Sequence, residues 1–313
     1  MQTKQTGDID ILRSAVDWRR AGSPSAIAIV VATWGSAPRP LGSLMAVNAD
    51  GSFVGSVSGG CVEGEVVTEA LALLRDGGVK RLDFTVSDDD ARRTGSVCGG
   101  QLTVFIAPVI DSLLACLETL IERQTATLTI NLTDGASSVS TNVDPGVIEP
   151  PLFARVFAPP LRLLIVGGVH IAQALVQMAT AADYQITLID PRDGWATAER
   201  FPGVTIDKGW PSNAIAGLAP DPRTAIVTLS HDSKLDDPAL AEAVTSPAFY
   251  IGALGNPRTH AARLERLREF GVSDQAAARI HGPIGLRIGA KTPAEIAVSI
   301  LAEMTDTLRK NAS

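Results

Sequence analysis

The sequence predicts a two-part α/β chain, with a mixed α+β domain over residues 1–155 and a doubly wound parallel sheet over residues 156–313. Three observations carry this. The chain has 313 residues, enough for two sizeable cores. The first half carries hairpin signals, of which Asn48-Ala49-Asp50-Gly51 between two apolar runs is the clearest. The second half alternates short apolar strands with helical stretches, the pattern of parallel strands joined by covering helices.

The elements follow in order. Ile11, Ala15 and Trp18 place a helix over 10–20, and Ala26 to Thr33 reads as a buried strand. TWGSAPRPLG is a loop of fixed shape. Strands over 43–48 and 52–57 flank the NADG turn, and a helix from about Cys61 to Arg75 aligns Val62, Val66, Ala70 and Leu73. Strands follow near 81–86 and 102–106, then a helix over 112–123 and a polar hairpin near 126–143. DPGVIEPPLFARVFAPP, over 144–160, reads as a linker or a closing edge strand. Strands at 161–166, 185–190, 224–230 and 249–252 then alternate with helices at 171–182, 211–218, 238–244 and 258–270. A last helix opens at Thr292-Pro293-Ala294-Glu295, with a capping threonine, a first-turn proline and a box-completing glutamate.

Composition narrows the function. Aromatic residues are 4% and the net charge is −7, which argues against a nucleic-acid binder, since that needs stacking platforms and a basic stripe. No apolar run is long enough to span a bilayer, and the charged N-terminus does not resemble a signal peptide. Three cysteines give no disulfide framework and suit a reducing compartment. The expected location is the cytoplasm, away from membranes.

Two of the three thiols sit on glycine loops. Cys116, within SLLACLETL, reads as a small packing residue. Cys61, in VSGGCVEGEV, precedes a helix start, where unpaired N–H groups and the dipole favour a thiolate. Cys98, in SVCGGQ, has Arg92 and Arg93 upstream. Gly59, Gly60, Gly99 and Gly100 remove bulk, so a ligand can approach the main chain. Arg39, between prolines in SAPRP, is the candidate anion contact; its bland reading is a rigid turn with a solvated arginine. This half has no histidine to act as a base for a cysteine hydrolase. Soft thiolates suit sulfur chemistry or a soft metal, which makes Cys61 and Cys98 the candidates for proximity to one.

In the second half, VGGVHIAQAL follows the first strand, where a Rossmann-like sheet keeps its phosphate loop. Gly167 and the final small residue Ala172 fit the fingerprint, but Val169 stands where the second glycine lets backbone approach a pyrophosphate. Asp190, ending the second strand, is placed to hold ribose hydroxyls. The pattern supports the fold, while Val169 weighs against NAD(P). His170, His231 and His281 fall just past strands or in glycine-containing loops; His260 lies in a helix as a surface or packing residue. No histidine or cysteine spacing supports zinc.

The stretches ATWGSAPRPLGSLMAVNADGSFVGSVSGGCVEGEV and TGSVCGGQLTVFIAP resemble the N-terminal domain of the XdhC/CoxI family. IVGGVHIAQAL, DPRDGWATAERFPG, LSHDSKLDDPAL, FYIGALGNPRTHAARLERL and IGLRIGAKTPAEIAVSILAEM resemble its C-terminal Rossmann domain. Residues 110–160 match poorly, and the family's usual Gly-Ala-Gly-His is Gly167-Gly168-Val169-His170 here. The resemblance implies a maturation factor rather than an enzyme. Such a factor would be a chaperone that binds the molybdenum cofactor (molybdopterin), assists its sulfuration and inserts it into a xanthine dehydrogenase-type hydroxylase. Its implied partners are the apo-hydroxylase and a cysteine desulfurase, and a homodimer is expected. Cofactor contacts are then expected from Cys61, Cys98, the four glycines, Arg39, Gly167, His170, Asp190 and His231. The alternative is an NAD(P)-dependent oxidoreductase or sulfurtransferase using the Rossmann half, with His170 or His231 as base. A third reading is a redox-sensing scaffold.

Overall fold

The computed structural model describes residues 7–35, 39–85, 100–143 and 148–310. Cys98, Gly99, Arg92 and Arg93, singled out in the sequence, lie outside the described residues. The chain divides into two compact units, Met1–Pro159 and Pro160–Ser313.

The first unit runs α1 (Asp8–Arg20), β1 (Ser25–Gly35), β2 (Leu44–Asn48), β3 (Phe53–Gly55), α2 (Glu63–Asp76), β4 (Lys80–Thr85), β5 (Gly100–Pro108) and α3 (Asp111–Ile121). Its described strands form an antiparallel sheet in the order β3-β2-β1-β5-β4. Central β1 is apolar along most of its length because both of its faces are covered. Ile27 and Ile29 point into a core with Leu12, Phe105, Leu117 and Leu128, while Ala26, Ala28 and Val30 meet Val66, Ala70 and Leu73 of α2. The two-residue period of a strand divides these side chains between the two cores. Within the stretch read as a linker or edge strand, Leu152–Phe157 form an edge strand. β8 (Leu152–Phe157) pairs with β6 (Ala126–Asn131), which also pairs with β7 (Ser137–Ser140), in the order β7-β6-β8.

The second unit runs β9 (Arg162–Val166), α4 (His170–Ala181), β10 (Gln185–Ile189), β11 (Thr205–Asp207), α5 (Pro211–Leu218) and β12 (Thr224–Thr228). It continues through α6 (Ser233–Ala243), β13 (Tyr250–Ala253), α7 (Pro257–Glu269), α8 (Asp274–Ala277), β14 (Ile280–His281) and α9 (Pro293–Lys310). The sheet order is β11-β10-β9-β12-β13-β14 with every pairing parallel. Successive strands step outward in opposite directions from β9 and β12, so the topological switch point lies between these two. Ala172, Leu175 and Ala179 of α4 pack with Ala297, Ile300 and Met304 of α9 on one face. Ile215, Leu240 and Leu267 from α5, α6 and α7 cover the other. No helix among the described residues is long and apolar enough to cross a membrane.

Candidate functional site

The loop before α2 is organised by a residue inside that helix. Val66, Ala70 and Leu73 form the buried stripe of α2, and one turn earlier the stripe reaches Glu63, which is only 7% exposed. A carboxylate on an apolar face needs donors, and the preceding loop supplies them. Glu63 Oε1 accepts from Ser56 Oγ (2.5 Å) and Ser58 N (2.9 Å), with longer contacts from Gly59 N (3.1 Å) and Val57 N (3.2 Å). Oε2 accepts from Ser58 Oγ (2.5 Å) and Gly60 N (2.8 Å). Burial pushes this carboxyl up, but the serine hydroxyls and backbone N–H groups outweigh it and bring the pKa down to about 2.

This clamp changes the reading of the glycines. Gly59 and Gly60 adopt φ of 84° and 124°, values that an L side chain rarely takes. Their N–H groups point at Glu63, so they are not free to receive an external anion. On the Cβ side both glycines face open space among the described residues, none of which, chain neighbours aside, brings a heavy atom within 4 Å of where a Cβ would stand. Cys61 follows them and is exposed. The helix starts at Glu63 with Val62 as its N-cap, so Cys61 stands two residues outside it rather than in its first turn. What the loop provides is an exposed thiol on a bulk-free, tethered backbone. Gly100 is a ladder residue, paired with Gly35 at the end of β1 and β5.

Arg39 is half-buried, not a solvated arginine. Its Nε has no hydrogen-bond partner among the described residues, and neither has Nη1 of Arg155. The two cations are close enough for Arg39 to help depress the Arg155 pKa; burial is the larger cause, and the ion pair with Asp8 at 2.5 Å acts the other way. Cys116 is fully buried, and burial lifts its thiol to about 12, as a packing residue requires.

In the second unit the phosphate loop is filled by the chain itself. Gly167 (φ 104°) passes so close to the backbone of Ser230 that an added Cβ would lie 2.8 Å from it, and a Cβ at Gly168 would lie 2.5 Å from Trp195 O. Val169 is the N-cap of α4 and His170 its exposed first residue. Asp190 does not present lone pairs for ribose hydroxyls. It is 1% exposed and accepts from Gly168 N (2.8 Å), Arg192 N (3.0 Å), Arg192 Nε (2.9 Å) and Arg192 Nη2 (2.7 Å). Burial raises its pKa, and these donors lower it by more. Arg192 in turn stacks over Trp195 at 4.2 Å. The features expected to hold a dinucleotide instead tie the β9–α4 loop to the segment after β10.

Two family models match the chain, one described as the XdhC Rossmann domain over residues 163–304 and one as the XdhC and CoxI family over residues 18–85. The molybdenum cofactor insertion chaperone PaoD of Escherichia coli is 31% identical over 299 residues, covering 94% of this chain and 86% of that protein. The chain belongs to the XdhC and CoxI family. A Bacillus subtilis protein, named as a probable xanthine dehydrogenase subunit, is 26% identical over 315 residues, covering 91% of this chain and 93% of that protein. A crystal structure described as a xanthine dehydrogenase from Bacillus halodurans shares the fold, with a TM-score of 0.79 at 22% identity, covering 97% of this chain and 96% of that one.

Within this XdhC/CoxI chain, the sequence candidates separate. The thiol loop gathers Gly59, Gly60 and Cys61; Gly167 and Asp190 are spent on internal packing; and exposed His231 lies past β12 with φ 61°. Among the described residues no group of three or more His, Cys, Asp or Glu is placed to hold a metal ion. His260 turns inward, with its Nδ1 buried and packed against Gly282. His281 Nδ1 lies 3.3 Å from Glu303, which also accepts from Tyr250 Oη (2.6 Å). Glu63 is not among the site residues expected from the sequence. Its signal was there: a carboxylate in register with an apolar stripe, just after a loop rich in serine and glycine.

Proposed function

We propose that this protein is a chaperone that binds the molybdenum cofactor as cargo and delivers it to a molybdenum hydroxylase of the xanthine dehydrogenase type. The observation that carries the reading is the Glu63-clamped loop, which holds an exposed thiol beside two glycines with open space above them among the described residues. A metal complex with sulfur ligands is soft and bulky, and both properties fit: a thiol is a soft donor, and the missing side chains leave room. The name of the relative PaoD supports the same reading. Arg39 and Arg155, with unpartnered donors on the same unit, are suited to the cofactor's phosphate. Cys98 with Gly99 and Gly100 would complete the thiol site.

Assisted sulfuration, a cysteine desulfurase as sulfur donor, insertion into the apo-hydroxylase and a homodimeric state belong to the same proposal. So does a location in the cytoplasm. In this reading the protein has no turnover of its own. A nucleotide-dependent oxidoreductase would need Asp190 and the Gly168 backbone to be available, and both are engaged within the chain. The test is to purify the protein anaerobically and assay bound pterin and molybdenum beside an NAD titration. Roughly stoichiometric pterin, without saturable NAD binding, is the expected outcome. Saturable NAD binding with hydride transfer and no pterin would replace this reading by the oxidoreductase.

A further inference from the structure

The thiol-loop reading leaves the outer side of α9 unused. The inner side is spent on the core, where Ala297, Ile300 and Met304 are buried with α4 and the sheet. A second apolar stripe runs along the opposite side, from Val298 through Leu301 and Ala302 to Thr305. With Met178 of α4 and Asp306 it lines a shallow groove of about 500 Å³, and Val298 is 46% exposed there. A helix that only covers a sheet needs one apolar stripe and a polar outer side. The second stripe is surface for a partner to cover.

The charges around this stripe say what the partner is. Glu295, Val298, Ala302, Thr305 and Arg309 are spaced alternately three and four residues apart, which sets them along one line of the helix, as in the seam between paired helices. The line is symmetric about Ala302. Seven residues before it stands an acid, Glu295, and seven residues after it a base, Arg309, both exposed. Glu295 Oε2 accepts from Lys291 N (2.7 Å) and Thr292 N (2.9 Å), which anchors the carboxylate at the start of the helix. Lys310, the other cation of the last turn, is held by Asp306 at 2.7 Å.

A second copy of α9, crossing antiparallel at Ala302, satisfies every part of this pattern at once. The two Ala302 side chains meet on the two-fold axis, where a small residue lets helices approach to about 8 Å. Val298 and Leu301 of each copy then cover the stripe of the other, and Glu295 of each lies opposite Arg309 of the other. Such self-complementarity is the condition of an isologous interface. An unrelated partner needs only to match the face, and sets no condition on the spacing of an acid and a base about one alanine. Exposed ion pairs contribute little to affinity. They fix direction, because a parallel pairing would set Glu295 against Glu295 and Arg309 against Arg309.

We infer that this chain pairs with a second copy through the outer side of α9, with Ala302 on the two-fold axis. The inference rests on the homodimeric state within the proposed function and names its interface. The test takes the mass of the full chain in solution by light scattering, then oxidises Ala302→Cys with diamide in a Cys61→Ala/Cys98→Ala background. A residue on a two-fold axis meets its own copy, so Ala302→Cys should form an intermolecular disulfide in most of the protein. Gln275→Cys, exposed on α8, should not. Ala302→Asp and Ala302→Lys should each weaken the dimer at least tenfold alone, through like charges at the axis, and should form a mixed dimer when combined. The mixed dimer also shows that both variants are folded. A monomeric wild type would overturn the homodimer and this interface together; if that monomer bound the hydroxylase and lost it with Ala302→Asp, the face would belong to the client. A dimeric wild type would overturn the interface alone if Ala302→Cys stayed uncrosslinked, or if the Asp and Lys variants each remained dimeric or failed to combine.

Discussion

Glu63 decides how the thiol loop behaves. Four loop N–H groups and two hydroxyls converge on its carboxylate, so replacing it leaves several buried donors without an acceptor. Glu63→Gln keeps the shape but turns an amide NH₂ toward those donors; a loss on the order of 1–3 kcal/mol is expected in urea denaturation at pH 7. The pH dependence has a definite sign. The folded pKa of about 2 lies below the ordinary 4.5, so the stabilisation is complete above pH 4.5 and is lost as the pH falls from there toward 2. The shift amounts to roughly 3 kcal/mol at most. The stability gap between wild type and Glu63→Gln should therefore narrow across that window; a gap that stays constant from pH 6 to pH 3 would refute the clamp. Asp236 has the opposite sign. Its pKa is raised to about 6, so its charge costs stability above that pH, and Asp236→Asn should help folding more at pH 7.5 than at pH 5. Equal effects at the two pH values would show that Asp236 is not held up by burial.

At the scale of elements, two kinds of glycine are distinguishable. Gly60 needs its conformation but has room, whereas Gly167 needs its conformation and has none. Gly60→Ala should cost about 1–2 kcal/mol from the backbone alone, and Gly167→Ala distinctly more, because Ser230 must move as well. Thermal melts of the two variants give the ordering, and a smaller effect at Gly167 would contradict the close approach. The long periodic elements were legible in the sequence: β1 from its β-branched apolar run, α2 from its stripe, and α9 from its capping box, in which Glu295 accepts from Thr292 N and Lys291 N. The beginning of α6 was not. Proline invites a start at Pro238, but Asp232 caps the helix by accepting from Lys234 N at 3.0 Å, so Pro238 lies inside it. The short β11, α8 and β14 were missed because two to four residues carry no period and are fixed by their neighbours in the sheet or the helix layer.

For the whole molecule, the sequence disclosed the family and the order of its two parts, since long motifs run through both. The site was only partly legible. Exposure of Cys61 and the glycine conformations follow from a local pattern, but the occupation of Asp190 by Arg192 and of the phosphate loop by Trp195 depends on contacts between segments that a motif does not encode. In the proposed function, sulfhydryls on a clamped, side-chain-free loop hold the molybdenum cofactor. The direct measurement is the amount of pterin and molybdenum retained by anaerobically purified wild type and by the Cys61→Ala/Cys98→Ala double variant, with folding confirmed by circular dichroism. Near-stoichiometric cofactor is expected on the wild type, with at least a tenfold loss on the double variant; equal retention by both would contradict a thiol-held cofactor.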